Sequence, residues 1–252
     1  MIRSLLFVLW IYGTMVFLAF LFLPGMLLSR RFAVWAVRFW MKNARWSLRV
    51  IAGVETEIRG EEHVPKGPLI WASKHQSMYD AFVPWLVLDH PAIIIKRELL
   101  WYPVFGWYAF RTDMIAIDRS GGSKTLRAMV DASKKRMEED KGRQLLIFPE
   151  GTRVAPGSPP QYKSGVYAMY KELDVPVVPV ANNIGLCWPA HGIRRRPGKV
   201  VVEILPPIAP GLNKQDFMDK LQNTIEPACD RLLDEGLAYQ GRSRADLKTE
   251  PA

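Results

Sequence analysis

The first 54 residues contain no aspartate and no glutamate. Arg3, Arg30, Arg31, Arg38, Lys42, Arg45 and Arg49 stand in that stretch, so it carries +7 of the chain's formal +9. Of the 34 basic residues, 27 remain beyond it against 25 acidic ones, a nearly balanced remainder. A nucleic-acid binder usually spreads basic charge over its folded domain, and this distribution argues against one. It points to an anionic membrane surface as the partner.

Cysteine is nearly absent. Cys187 and Cys229 lie far apart in apolar or helical surroundings, with no Cys-x-x-Cys pair and no His/Cys cluster, so no metal site is expected and both read as reduced core thiols. Three other signatures are missing: the Gly-x-Ser-x-Gly elbow, His-Glu-x-x-His and Gly-x-Gly-x-x-Gly. Gly122-Ser123-Lys124-Thr125 is like the end of a phosphate loop only superficially, because its Gly-Lys pair is interrupted. No internal repeat is evident. With 49% hydrophobic and 23% charged residues, the 252-residue chain suits one substantial α/β domain with an anchor.

Ser4 to Leu23 is a run of twenty uncharged, mainly apolar residues. As a helix it extends about 30 Å, the thickness of a bilayer's hydrocarbon core. It lacks the small residues of a cleavage site, since Leu21-Phe22-Leu23-Pro24 follows, so an uncleaved anchor is expected, either spanning or re-entrant. Pro24-Gly25 should break the helix. Beyond it, Arg31, Arg38, Lys42, Arg45 and Arg49 recur at helical spacing, which predicts a basic amphipathic helix in the headgroup region with its aromatic residues elsewhere on the barrel. The positive-inside bias puts the following domain on the cytoplasmic side, in a bacterium at the inner membrane.

From Val54 the pattern becomes globular. Strands are predicted over 54–59, 68–72, 92–95, 114–117, 144–148, 175–181 and 200–205, with helices over 80–88, 124–140, 164–173 and 214–235. That alternation implies a single mixed or largely parallel sheet flanked by helices. The expected division is an N-terminal membrane helix and basic helix over 1–53, a domain over 54–239 and a polar tail over 240–252.

His75 follows the second strand directly, and Asp80 stands five residues on. Imidazole can take a proton near neutral pH, and a carboxylate on its far nitrogen fixes the tautomer and stabilises the charge gained. His75 is thus the candidate general base with Asp80 its partner. Arg119 closes the fourth predicted strand, and Glu150-Gly151-Thr152-Arg153 follows the fifth. Two guanidinium forks could there grip phosphate oxygens, with Gly151 allowing close backbone approach, Thr152 a hydroxyl, and Lys96 a weaker charge. His63, His90 and His191 have no such company and read as structural or exposed.

The blocks occur in one order: His75 to Asp80, Ile117-Asp118-Arg119, Phe148 to Arg153, then Val175-Pro176-Val177-Val178-Pro179-Val180. Together they resemble the glycerolipid acyltransferase family over roughly residues 54 to 210, with support from Lys96 to Leu100 and Asn182 to Pro189. Ala116 departs from the pattern, standing where a larger apolar residue is common. The resemblance implies transfer of a fatty acyl group to the 2-hydroxyl of lysophosphatidic acid, forming phosphatidic acid. The acyl donor would be a thioester of coenzyme A or acyl carrier protein, with no other cofactor. It implies His75 and Asp80 as catalytic, and Arg119, Glu150, Gly151, Thr152, Arg153 and Lys96 as phosphate-binding. Another lysophospholipid or glycerol 3-phosphate as acceptor, and a non-catalytic lipid-binding protein, remain as alternatives.

Overall fold

A computed structural model describes residues 1–118 and 123–248. Three helices lead: α1 (Ile2–Leu21), α2 (Leu23–Leu28) and α3 (Arg30–Ser47), the last running into a π-helical turn (Leu48–Ala52). Then come β1 (Val54–Arg59), β2 (Leu69–Ser73), α4 (Val83–Val87), β3 (Pro91–Lys96), α5 (Phe105–Arg111), β4 (Ile115–Ile117), α6 (Ser123–Glu139), β5 (Gln144–Ile147), α7 (Gly165–Leu173), β6 (Val177–Asn182), β7 (Gly198–Ile204), α8 (Lys214–Tyr239) and α9 (Arg244–Lys248). All seven predicted strands are present. Helix α5 and the 3₁₀ turn before it (Arg97–Trp101) were not foreseen.

The strands form one sheet in the order β1-β7-β6-β2-β5-β3-β4, parallel at every pairing except β6 with β7, so the α/β expectation of a largely parallel sheet holds. Every residue of β2, β5 and β6 is buried, as expected for strands covered on both faces. Leu69, Trp71, Leu146 and Val178 face one cluster shared with α1, α3 and α4, while Ile70, Ala72, Leu145 and Val177 face a second beneath α6, α7 and α8. Pro179 sits inside β6 at little cost. Its carbonyl still accepts from Leu205 N just past the end of β7, so only the return bond of that pair is missing.

Helix α1 docks by a stripe of Ser4, Phe7 and Ile11 at spacings of three and four, with Phe7 edge-on to Trp188 at 5.2 Å. Its other faces, including Leu5, Leu9, Val16, Phe17 and Phe20, are exposed. The helical break falls at Phe22, and Pro24 and Gly25 lie inside α2, where proline near a helix start loses no hydrogen bond. Gly25 is needed for close packing, since a Cβ there would lie 2.5 Å from the ring of Phe32.

Helix α3 buries one face and exposes the other. Three of its basic residues reach the domain: Arg30 pairs with Asp113 at 2.6 Å, Arg38 donates to the carbonyls of Leu88 and Asp89, and the exposed Arg45 donates through Nη2 to that of Thr56 at 2.9 Å. Ala33, Ala36, Val37, Met41 and Ala44 form the buried stripe, and Trp35, Phe39 and Trp46 lie on the exposed side with Arg31, Lys42 and Arg49. Small alanines let the helix approach closely, which a pattern of charges alone does not reveal.

The outer strand is clipped to α8 by a charge cluster, in which Arg59 bridges Glu57 at 2.7 Å and Glu235 at 2.6 Å, and Lys199 reaches Glu57 at 2.5 Å. Hydrogen bonds from Arg59 and Lys199 pull the Glu57 carboxyl from 4.5 to about 2. A depressed carboxyl contributes stability that is present above its unfolded value and lost as pH falls toward its folded one. Glu57→Gln should therefore flatten the pH dependence of unfolding between about 4.5 and 2 and leave it unchanged above. Superimposable acid-unfolding curves for parent and variant would refute this.

Candidate active site

Strand β2 lies between β5 and β6, parallel to both, so three carboxyl ends open on one sheet edge. That edge is where α/β proteins gather their sites. The chain leaves β2 at Ser73 and folds back through a 3₁₀ turn (Tyr79–Ala81), bringing the fully buried Asp80 beneath the loop it closes. One oxygen, Oδ2, accepts from His75 Nδ1 at 2.9 Å, Gln76 N at 2.5 Å and Ser77 N at 2.8 Å. The five-residue spacing is thus the length of this loop. Burial pushes the Asp80 carboxyl up, and the His75 and backbone donors oppose it.

With Nδ1–H committed to Asp80, His75 presents Nε2 as its basic nitrogen. The imidazole stacks on Phe148 with centroids 3.7 Å apart and an interplanar angle of 12°, and its side chain is 18% exposed. Phe148 directly follows β5, so both partners of the ring come from adjacent strand ends. Neither cysteine competes as a nucleophile, since burial pushes both thiols up to about 12.

Glu150 does not face a ligand. Its carboxylate, 1% exposed, pairs with Lys74 Nζ at 2.8 Å through Oε1 and accepts the His75 amide at 3.3 Å through Oε2. A phosphate would not settle beside that anion, so its expected contact with phosphate is replaced by support of the base's loop. Lys74, 3% exposed, also donates to both oxygens of Glu226 on α8, at 2.9 and 3.0 Å, and Tyr162 donates to Glu226 Oε1 at 2.6 Å. Burial alone would lower Lys74, but the two carboxylates outweigh it and hold the ammonium above its ordinary range. Burial raises the Glu150 carboxyl against the pull of Lys74. Gln76 joins a further segment, donating to Asn182 O at 3.2 Å and accepting from Gly185 N at 2.9 Å.

His75 lines a cavity of about 500 Å³ whose walls are mostly apolar: Ile94, Ile117, Leu126, Met129, Ile147, Phe148 and Val166. Gly151 borders it with φ +67, a left-handed conformation natural to glycine, and Lys163 lies so close that a Cβ on Gly151 would be 3.3 Å from Nζ. Thr152 and Arg153 are exposed on the same loop, and Arg153 Nη1 donates to Ala190 O at 2.7 Å. Lys96 is exposed at the carboxyl end of β3. Arg119 lies outside the described residues.

Sequence reasoning missed Lys74, Tyr162, Lys163 and Glu226. Lys74 and Glu226 meet across 152 positions, and nothing local marks either. Only the strand-end position of Lys74, with no room for a solvated ammonium, could have hinted at burial. Among the described residues no group of three or more His, Cys, Asp and Glu side chains could hold a metal ion.

His75, held by Asp80 and lining a largely apolar cavity, forms the kind of site that group-transfer enzymes use. The chain belongs to the acyltransferase family, whose model matches residues 55–183. It is 35% identical over 211 residues to the 1-acyl-sn-glycerol-3-phosphate acyltransferase of Pseudomonas aeruginosa, covering 81% of this chain and 80% of that one. The enzyme of the same name from Limnanthes alba is 33% identical over 177 residues, 69% of this chain, which spans 60% of the plant protein. In fold, it matches the crystal structure of the 1-acyl-sn-glycerophosphate acyltransferase PlsC from Thermotoga maritima with a TM-score of 0.76, at 24% identity over 92% of this chain and 96% of that one.

Proposed function

We propose that this enzyme moves a fatty acyl group from a thioester carrier, acyl-coenzyme A or acyl carrier protein, to the free 2-hydroxyl of 1-acylglycerol 3-phosphate, forming phosphatidic acid. The observation that carries this reading is the His75–Asp80 pair, with His75 lining the apolar cavity. His75 Nε2 takes the hydroxyl proton as the oxygen attacks the thioester carbonyl. The C–O bond forms, the C–S bond breaks, and the imidazolium returns its proton to the departing thiolate. The acceptor alcohol is itself the nucleophile, so no acyl-enzyme is required. Arg153 and Arg119 hold the acceptor phosphate, with Thr152 offering its hydroxyl, Gly151 allowing close backbone approach, and Lys96 and Lys163 adding charge.

Both substrates are amphiphiles, and the N-terminal hairpin brings the site to them. Helix α1 is long and apolar enough to cross a bilayer. It is also fastened to the domain near both ends, at Ser4 to the backbone of Arg195 and at Ala19 to Tyr108. A helix so bound is best accommodated within one leaflet, on the cytoplasmic side given the flanking arginines and lysine.

The test is to incubate purified protein in detergent with lysophosphatidic acid, glycerol 3-phosphate and other lysolipids, with each carrier, and to identify products by mass. Absence of phosphatidic acid from every reaction would end this reading. Saturation curves then test the phosphate grip: Arg153→Ala should weaken the acceptor about 10- to 150-fold, through charge-assisted bonds of about 1.5–3 kcal/mol, and the donor much less. Arg153→Lys should recover part, since an ammonium cannot reproduce the fork. A defect confined to the donor curve would assign Arg153 to the carrier instead.

A further inference from the structure

The segment from Trp101 to Phe110 exposes four large rings on the body of the catalytic domain. Trp101 is 83% exposed, Phe110 75%, and Tyr102 and Trp107 are exposed as well. Loose packing does not explain this, because the segment is rigidly built. Gly106 lies so close to the preceding turn that a Cβ would sit 2.0 Å from the carbonyl oxygen of Leu100. Val104 is held at φ +70 in a three-residue turn closed by Phe105 N to Pro103 O at 2.8 Å, a strained conformation for a β-branched residue. A fixed platform that holds indole and phenyl rings in water has a cost unless something covers them.

We infer that this platform is a second membrane contact, in which Trp101, Tyr102, Trp107 and Phe110 enter the same leaflet as α1; the inference rests on the membrane reading of the hairpin. Continuity identifies the occupant. Trp107 meets Phe20 of α1 edge-on at 6.1 Å, Tyr108 donates to Ala19 O at 3.1 Å, and Arg111 donates to Met26 O at 2.9 Å and Leu27 O at 3.2 Å. The exposed apolar surface of the hairpin therefore runs onto α5 without interruption. Trp107 and Phe110 are three apart and share the outward face of that helix. Tryptophan and tyrosine are the rings that settle at a membrane–water boundary, and the exposed Arg97, in the turn that leads into the platform, is placed to meet lipid phosphates. Since the platform starts where β3 ends, on the edge that carries His75, the bilayer surface reaches the site from this side. An acceptor lipid can then enter without leaving the leaflet.

Site-directed spin labelling tests this on the full chain. Cys187 and Cys229 are buried, so a nitroxide reagent addresses introduced cysteines. Trp101→Cys, Phe110→Cys, Phe17→Cys in α1 and Lys220→Cys on the exposed side of α8 are labelled in vesicles of equal parts phosphatidylcholine and phosphatidylglycerol. Relaxation by oxygen, which concentrates in lipid, is compared with relaxation by a nickel chelate, which stays in water. Labels at 101 and 110 should follow the label at 17 and favour oxygen, while 220 favours nickel. Positions 101 and 110 lie on separate elements, so misfolding of one variant leaves the other to decide. Nickel-accessible labels at 101 and 110 with a lipid-facing label at 17 would overturn the inference and leave the hairpin reading standing. Labels shielded from both agents, with spin–spin broadening relieved by unlabelled protein, would assign the platform to a second copy of the chain. A water-facing label at 17 would remove the membrane reading itself.

Discussion

Turnover by His75→Ala should fall at least about 100-fold, the contribution that a positioned general base commonly supplies. The variant should still fold. His75 lies at the surface of the sheet edge, and its backbone partners, the Glu150 carboxylate and Val154 N, do not depend on the ring. The loss should therefore appear in kcat and kcat/KM alike, with little change in the KM of either substrate, as expected when an interaction made only in the transition state is removed. Asp80→Asn should also be severely impaired, because an amide cannot stabilise the imidazolium that develops on Nδ1. Near-normal turnover by a well-folded His75→Ala protein would sink the base mechanism.

The second large effect concerns stability. Lys74→Met would leave the carboxylates of Glu150 and Glu226 without the ammonium between them, and removal of one member of a buried ion pair typically costs about 3–5 kcal/mol. For a domain of this size that corresponds to a fall in Tm of roughly ten degrees or more. Glu226→Gln should be far milder, because Lys74 keeps Glu150 and Tyr162 keeps an oxygen to donate to. Chemical denaturation of the three proteins in one detergent gives the comparison. Equal stability of parent and Lys74→Met would show that the network contributes nothing net.

Much of this molecule was legible in the sequence, for identifiable reasons. Strands β2 to β7 announced themselves as short, mainly apolar runs and β1 as an alternating one, and their alternation with helices carried the largely parallel topology. His75 and Asp80 could be paired because the loop that joins them is local. The Lys74–Glu226 contact was not legible, since tertiary folding alone brings α8 beneath that loop. Glu150 was assigned to phosphate because its neighbours suggested a ligand, whereas its burial is set by β5 and β2 lying side by side. In α3 the charges recur at helical spacing, yet the packing stripe is made of alanines, and carbonyls of the domain claim Arg38 and Arg45. Helix α5 escaped notice because Pro103 and Gly106 break any periodicity around it.

The stitching of Ser4 to the backbone of Arg195 spans 191 positions. During synthesis at about 5–20 residues per second, α1 waits some 10–40 seconds for this clasp, with α3 and the π-helical turn against its inner stripe. Throughout that interval Phe7 lacks Trp188, and Leu5 and Leu9 on the other faces stay bare. A lipid surface is the obvious refuge for such a helix, so the ribosome has reason to deliver it to the bilayer before the domain exists to hold it. The enzyme would then assemble on the membrane rather than arrive there finished.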